Sequence, residues 1–229
     1  MHSCQVIADK HLLFFVSENQ KFSTFQFLNT TTVRDVVISL GIPPVEVSKV
    51  YINKTLSDLD SKIFNGEKIA LHTDKFIYPT GFILDVHLGS LARYIRMLGF
   101  DCLYRNDFSD PEIINIAEKE NRSILTRDLG ILLHRRVNQG YFVRATNPKL
   151  QIIEIINKYN LKLQFAPFTR CMKCNGLLFC IDKSKIENEV PEAVWQLQED
   201  FYQCNNCHKI YWPGTHYQNM KKFISQLNS

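Results

Sequence analysis

Between residues 11 and 72, apolar and polar positions follow one another in short runs that predict strand, strand, helix, strand, strand. His11 to Ser17 is an apolar run and reads as the first strand. Phe22-Ser23-Thr24-Phe25-Gln26-Phe27 alternates with period two, as a half-buried strand does. Thr32 to Leu40 then fits a helix, with Thr31 or Thr32 as N-cap and Gly41 as its stop. Val47 to Ile52 and Lys68 to His72 supply two further short strands around the turn residues Asn65-Gly66. From Phe82 the pattern changes to alternating strands and helices. Phe82-Ile83-Leu84 ends at Asp85, and Leu88, Leu91, Ala92, Ile95 and Leu98 fall on one face of a helix stopped by Gly99. Phe100 to Tyr104 reads as a strand, and Asp110-Pro111 opens a helix with Asp110 as N-cap. Ser123-Ile124-Leu125-Thr126 is a strand, followed by a helix to about Arg136, a strand at Tyr141 to Arg144, and a helix opened by Asn147-Pro148.

The hairpin–helix–hairpin order predicts an α+β, β-grasp domain over residues 1–78, joined by the linker Pro79-Thr80-Gly81 to a second domain. The repeated βα units over 82–165 predict a parallel α/β sheet covered on both faces. Residues 166–229 are too few for a large apolar core and read as a metal-stapled module.

Composition narrows the class. With 229 residues, 45% of them hydrophobic and 22% charged, the chain is a folded protein rather than a disordered or repetitive one. No apolar run approaches the roughly 18 residues of a membrane span, and no secretory signal is visible, so a cytoplasmic protein without a membrane partner is expected. The net charge of +4 is unevenly spread: eight of the ten arginines lie between Arg93 and Arg144. Guanidinium groups match phosphate, so this block is the expected nucleic-acid contact, with a solvated helix face as the plain alternative.

Cys171-x2-Cys174 and Cys204-x2-Cys207 are separated by 29 residues. Two such knuckles offer four thiolates, enough to close a tetrahedral, structural Zn²⁺ site with no open position for water. Cys180 and His208 are lower-ranked ligands. Beyond the last knuckle, Tyr211, Trp212, His216 and Tyr217 could stack on unpaired bases or simply roof the small core.

In a parallel βα sheet the loops after the strands share one edge, where ligands bind. Asp85 ends the first strand of this region, Asp107 and Asp110 follow the second, and Asp128 follows the third. Like charges held together persist when a hard cation neutralises them, so Mg²⁺ or Mn²⁺ is expected there as a hydrolytic cofactor. Glu112 could join the cluster, Asp101 is expected to be solvated, and His87 to have no chemical role.

Two resemblances sharpen these expectations. Thr32-Val33-Arg34-Asp35-Val36 before Leu40-Gly41, and Val50-Tyr51-Ile52-Asn53 before Phe64-Asn65-Gly66-Glu67-Lys68-Ile69, resemble the ubiquitin-like sulfur carriers. Those act through a free C-terminal Gly-Gly; here the chain runs on through Asp74 to Pro79, so an accessory or RNA-docking role is expected instead. The run Asp85-Val86-His87-Leu88-Gly89-Ser90-Leu91-Ala92-Arg93-Tyr94-Ile95-Arg96-Met97-Leu98-Gly99, then Thr126-Arg127-Asp128 and the two CxxC pairs, resembles the Mut7-C family. Its members are similar to PIN-domain ribonucleases and carry a C-terminal zinc ribbon. The resemblance implies Asp85, Asp110 and Asp128 as the catalytic, Mg²⁺- or Mn²⁺-binding carboxylates. It also implies Arg93, Arg127 and His216 as substrate-side groups, to which the arginine block adds Arg96. Leu129-Gly130-Ile131 stands where PIN nucleases place a further acid, leaving one or two metals open, and Tyr94 stands where the family has tryptophan. The implied activity is metal-dependent cleavage of single-stranded or structured RNA, tRNA and rRNA among the candidates. A non-catalytic RNA- or ribosome-binding adaptor is the alternative, a phosphoryl-accepting receiver domain a more distant one, and the residues name no protein partner for the β-grasp domain.

Overall fold

The structure is a computed structural model and describes residues 1–16, 22–74 and 79–228. Its first strand, β1 (His2–Ala8), precedes the expected one. Cys4, Val6 and Ala8 are buried at alternate positions, a period-two pattern carried by residues too small or too weakly apolar to stand out. The expected strand at His11–Ser17 is instead a 3-10 turn over Leu12–Phe15 that buries Leu12, and Ser17 lies outside the described residues. Strand β2 (Phe22–Phe27) pairs antiparallel with β1 as the alternation predicts.

A short strand, β3 (Thr31–Thr32), leads into helix α1 (Val33–Ser39). Thr32 closes a capping box with Asp35, satisfying amides that the first turn would otherwise leave bare. Gly41 takes a left-handed φ of +77°, and the amides of Gly41 and Ile42 reach back to Ile38 and Val37, which ends the helix. Strands β4 (Lys49–Ile52), β5 (Thr55–Ser57), β6 (Lys62–Ile63) and β7 (Lys68–His72) follow. The main sheet runs β2-β1-β7-β4-β5, with β1 and β7 parallel at its centre and a small β3-β6 pair beside it. Val33, Val36, Val37, Ile69 and Leu71 form its sealed core. The continuation of β7 expected at Lys75 to Tyr78 falls outside the described residues.

Next in the chain come β8 (Phe82–Leu84), α2 (Gly89–Met97), β9 (Cys102–Leu103), α3 (Asp110–Glu120), β10 (Ser123–Thr126), α4 (Leu129–Leu133), β11 (Gly140–Phe142) and α5 (Pro148–Tyr159). β8 pairs with β9, and β10 with β11, in parallel, the βα pattern expected. Leu88, Leu91, Ala92, Ile95 and Leu98 are all buried. Three boundaries differ. The N-cap of α3 is Ser109 and not Asp110, because Ser109 is the residue that can form a capping box with Glu112. Helix α4 stops at Leu133 rather than near Arg136, where the polar run His134-Arg135-Arg136 has no apolar face to bury. The strand expected over Phe100 to Tyr104 narrows to two residues.

The C-terminal region has a three-stranded antiparallel sheet of β12 (Leu178–Cys180), β13 (Tyr202–Cys204) and β14 (Ile210–Tyr211). Helix α6 (Glu192–Leu197) precedes β13, and helix α7 (Thr215–Asn228) ends the chain. Ile186, Val190 and Phe201 make a small core that Trp195 and Trp212 cover.

The chain packs as two compact units that do not follow sequence order. Met1–Phe76 associates with Ser109–Val143 in one, and Ile77–Phe108 with Arg144–Ser229 in the other.

Candidate metal centre and acidic residues

The cysteine centre is built by two turns with the same main-chain logic. The amide of Cys171 donates to Gly176 O and that of Asn175 to Cys171 O; the amide of Cys204 donates to Lys209 O and that of His208 to Cys204 O. The residue after each pair, Asn175 or His208, sits at left-handed φ (+74° and +57°), which turns the chain so that both sulfurs face one point. Gly176 lets the knuckles meet, since a Cβ there would lie 2.8 Å from Cys204 Sγ.

Cys171, Cys174, Cys204 and Cys207 have all four sulfurs within 4.8 Å of one another, and among the described residues this is the group of three or more possible ligands gathered so tightly. Sulfur pairs at 3.6 Å (Cys171, Cys207) and 3.4 Å (Cys174, Cys204) compare with edges of about 3.8 Å in a tetrahedral Zn–thiolate site. The quartet therefore suits a metal such as zinc. Burial pushes the thiols of Cys174 and Cys204 up. Burial also opposes ionisation of Cys171, but the Tyr211 hydroxyl at 3.1 Å and neighbouring main-chain amides outweigh it and bring the thiol down to about 7. Cys180 is exposed on β12 and stands outside the quartet, as does His208. Tyr211, offered to bases by the sequence, is half-buried with its hydroxyl against Cys171, and Trp212 packs on the small core.

Each acidic residue has a distinct setting. Asp85 follows β8 directly and is buried, its carbonyl accepting the Leu88 amide. Asp110 is exposed at the first position of α3 and, with Ser109 as cap, is relieved of the capping role. Asp128 follows β10, caps α4 through a 2.6 Å bond from the Gly130 amide to Oδ1, and has its own amide held by Thr126 Oγ1 at 2.8 Å. Asp107 and Glu112 are otherwise engaged. Arg105 grips Asp107 at 2.8 and 3.0 Å and holds its carboxyl below the usual range, while Glu112 receives the amide and hydroxyl of Ser109. Asp101, expected to be solvated, instead accepts from the Asn175 side chain and pairs with Arg170 at 3.3 Å.

The basic residues divide. Arg93 is exposed on α2, and His216 is exposed in the first turn of α7. Arg127 is exposed and donates to Val143 O at 2.9 Å. Arg96 corrects the expectation: it is only 3% exposed, and its guanidinium donates to the carbonyls of Cys102, Lys173, Met172 and Tyr104. A buried guanidinium with four of its five N–H donors directed at main-chain carbonyls is not presented to a phosphate, so Arg96 acts as a structural staple. His87 is exposed in the short turn between Asp85 and α2. Sequence reasoning missed Asn175 and Arg170, although an Asn-Gly pair directly after a CxxC is a left-handed turn signal.

The chain belongs to the Mut7-C family: the model of the Mut7-C RNAse domain matches residues 80–224, and that of the Mut7-C ubiquitin domain matches residues 1–76. The class is thus a nuclease-type domain preceded by a ubiquitin-like one. No curated protein and no solved structure matches the chain.

Proposed function

We infer that the protein is a divalent-metal-dependent ribonuclease that hydrolyses RNA phosphodiesters at Asp85, Asp110 and Asp128. The observation that carries this reading is the match of residues 80–224 to an RNase domain, in which three aspartates each follow a strand of a parallel pair. Mg²⁺ or Mn²⁺ held by carboxylates supplies Lewis acidity toward a phosphoryl oxygen and a water of lowered pKa. The chain's own residues supply the rest. Asp85 is fixed by burial at the end of β8, Asp110 is left unencumbered by the Ser109 cap, and Asp128 is aimed by its bonds to Gly130 and Thr126. Arg93, Arg127 and His216 are the exposed groups suited to holding the RNA backbone. The cysteine quartet would hold Zn²⁺ in a closed, structural site that supports RNA binding, and paired cysteines used as metal ligands rather than disulfides fit a reducing cytoplasm.

A second reading, an RNA- or ribosome-binding adaptor, has one observation in its favour: Asp128 already has structural employment as the cap of α4. Cleavage assays on single-stranded and structured RNA with Mg²⁺ or Mn²⁺ separate the two. Asp85→Asn and Asp128→Asn should each slow turnover at least about 100-fold, the scale on which a preorganised electrostatic group acts. Wild-type rates in both variants would remove the site assignment. Salt-sensitive RNA binding without cleavage under either metal would establish the adaptor.

A further inference from the structure

The amide of Phe142 on β11 carries an inference about the ubiquitin-like domain. In the parallel β10–β11 pair, the Val143 amide points at β10 and donates to Thr126 O at 2.8 Å. Main-chain groups alternate in direction along a strand, so the Phe142 amide points the other way, off the ladder. It donates at 2.9 Å to Glu46, which lies 96 residues earlier in the 3-10 turn Pro44–Glu46 of the ubiquitin-like domain and is 1% exposed. Phe14 and Phe15 of the same domain meet the Phe142 ring at 5.5 and 5.7 Å, and Asp35 pairs with Arg135 at 3.6 Å. A carboxylate is expensive to bury, and the expense is tolerable only where hydrogen bonds fix it. A loosely tethered docking module would place water, not a buried acid, against that amide.

From β11 the contacts run directly to the Thr126-Arg127-Asp128 loop. Val143 donates its amide to Thr126 O and accepts Arg127 Nη1 at 2.9 Å; Thr126 Oγ1 accepts the Asp128 amide, and Asp128 Oδ1 accepts the Gly130 amide. We propose that the ubiquitin-like domain is a fixed brace of the RNase domain, in which Glu46 acts as a positioning residue: it clamps β11 and through it sets the loop that presents Arg127 and Asp128.

The test is hydrogen exchange on the full chain carrying Glu46→Ala or Glu46→Gln. In Glu46→Ala the Phe142 amide should exchange at least about tenfold faster, with smaller increases at Val143, Asp128 and Gly130, while Val6 in the β1–β2 ladder and Ile69 in the β1–β7 ladder stay within about twofold of wild type. Glu46→Gln keeps a neutral acceptor and should lie between, near about fivefold at Phe142. Should the alanine variant not fold, the glutamine variant decides by the same amides. Unchanged exchange, an increase shared equally by Val6 and Ile69, or a change that stops at Phe142 without reaching Asp128 and Gly130 would overturn the brace. A second arm rests on the nuclease reading: kcat on RNA should fall in Glu46→Ala with little change in KM and recover in Glu46→Gln. If wild-type protein cleaves no RNA, that reading fails alone, and the exchange pattern still decides whether Glu46 positions the loop.

Discussion

Arg93 and Arg96 stand three positions apart on α2, close enough in angle that helical periodicity assigns them one face. Their environments differ completely: Arg93 is exposed, whereas Arg96 sits in the run Ile95-Arg96-Met97-Leu98, every member of which is buried. Charge in the sequence signalled phosphate at both positions, and only burial tells them apart. Arg96→Ala should therefore lower unfolding free energy by about 3 kcal/mol or more in a urea titration, because several carbonyls lose a charged donor at once. Arg93→Ala should leave stability within about 0.5 kcal/mol and weaken RNA binding in a salt-dependent way. Gly99 makes the same point about hidden context. It was legible as a helix stop, and its φ of +95° agrees, but a Cβ there would also collide with the main-chain oxygen of Ala166, a residue far along the chain that no local pattern encodes.

Among the elements, those bounded by strong local chemistry were the legible ones. Thr32 before Val33 to Ser39, and Asn147-Pro148 before α5, carry their own caps. β1 was not legible, since Cys4 and Ala8 fill core positions with little hydrophobic signal, nor was the end of α4, which tertiary packing decides. The capping box of α1 yields a pH-dependent prediction. Bonds from the Thr32 hydroxyl and amide, chief among the causes, hold the Asp35 carboxyl below its ordinary value. A folded-state pKa below the unfolded one means stability that is fully present above the unfolded value, about 3.9 for aspartate, and is lost as pH falls through the folded value. The gap in melting temperature between wild type and Asp35→Ala should thus be constant near neutrality and close progressively below about pH 4. At about pH 7, Thr32→Ala should cost about 1 kcal/mol by urea titration, the ordinary worth of an N-cap side chain.

At the scale of the molecule, sequence order divides the chain into ubiquitin-like, βα and cysteine-rich segments, while the contacts link segments distant in sequence. The cysteine centre shows what such linkage does. Asn175 Oδ1 accepts the buried Cys102 amide of β9 at 3.0 Å while its Nδ2 donates to Asp101; Arg170 bonds Gly99 O and pairs with Asp101; Arg96 reaches from α2 to the carbonyls of Met172 and Lys173 inside the first knuckle. The first knuckle is thus wired into α2 and β9, and the conformation that four thiolates impose on it is also the conformation that satisfies Cys102. Structural zinc sites supply about 10–16 kcal/mol of folding free energy at neutral pH, so stripping the metal with a chelator should do more than unfold a C-terminal appendage. The Cys102 amide should lose protection together with that of Cys171, and an independent appendage would free Cys171 alone. Asn175→Gly separates the metal from the wire, because glycine accepts the left-handed turn at φ +74° without strain and leaves the four sulfurs in place. That variant should still bind one equivalent of zinc by metal analysis while its Cys102 amide exchanges about tenfold faster, the loss expected for one buried hydrogen bond. Full protection of Cys102 in the glycine variant would mean that the metal centre and β9 are stabilised separately.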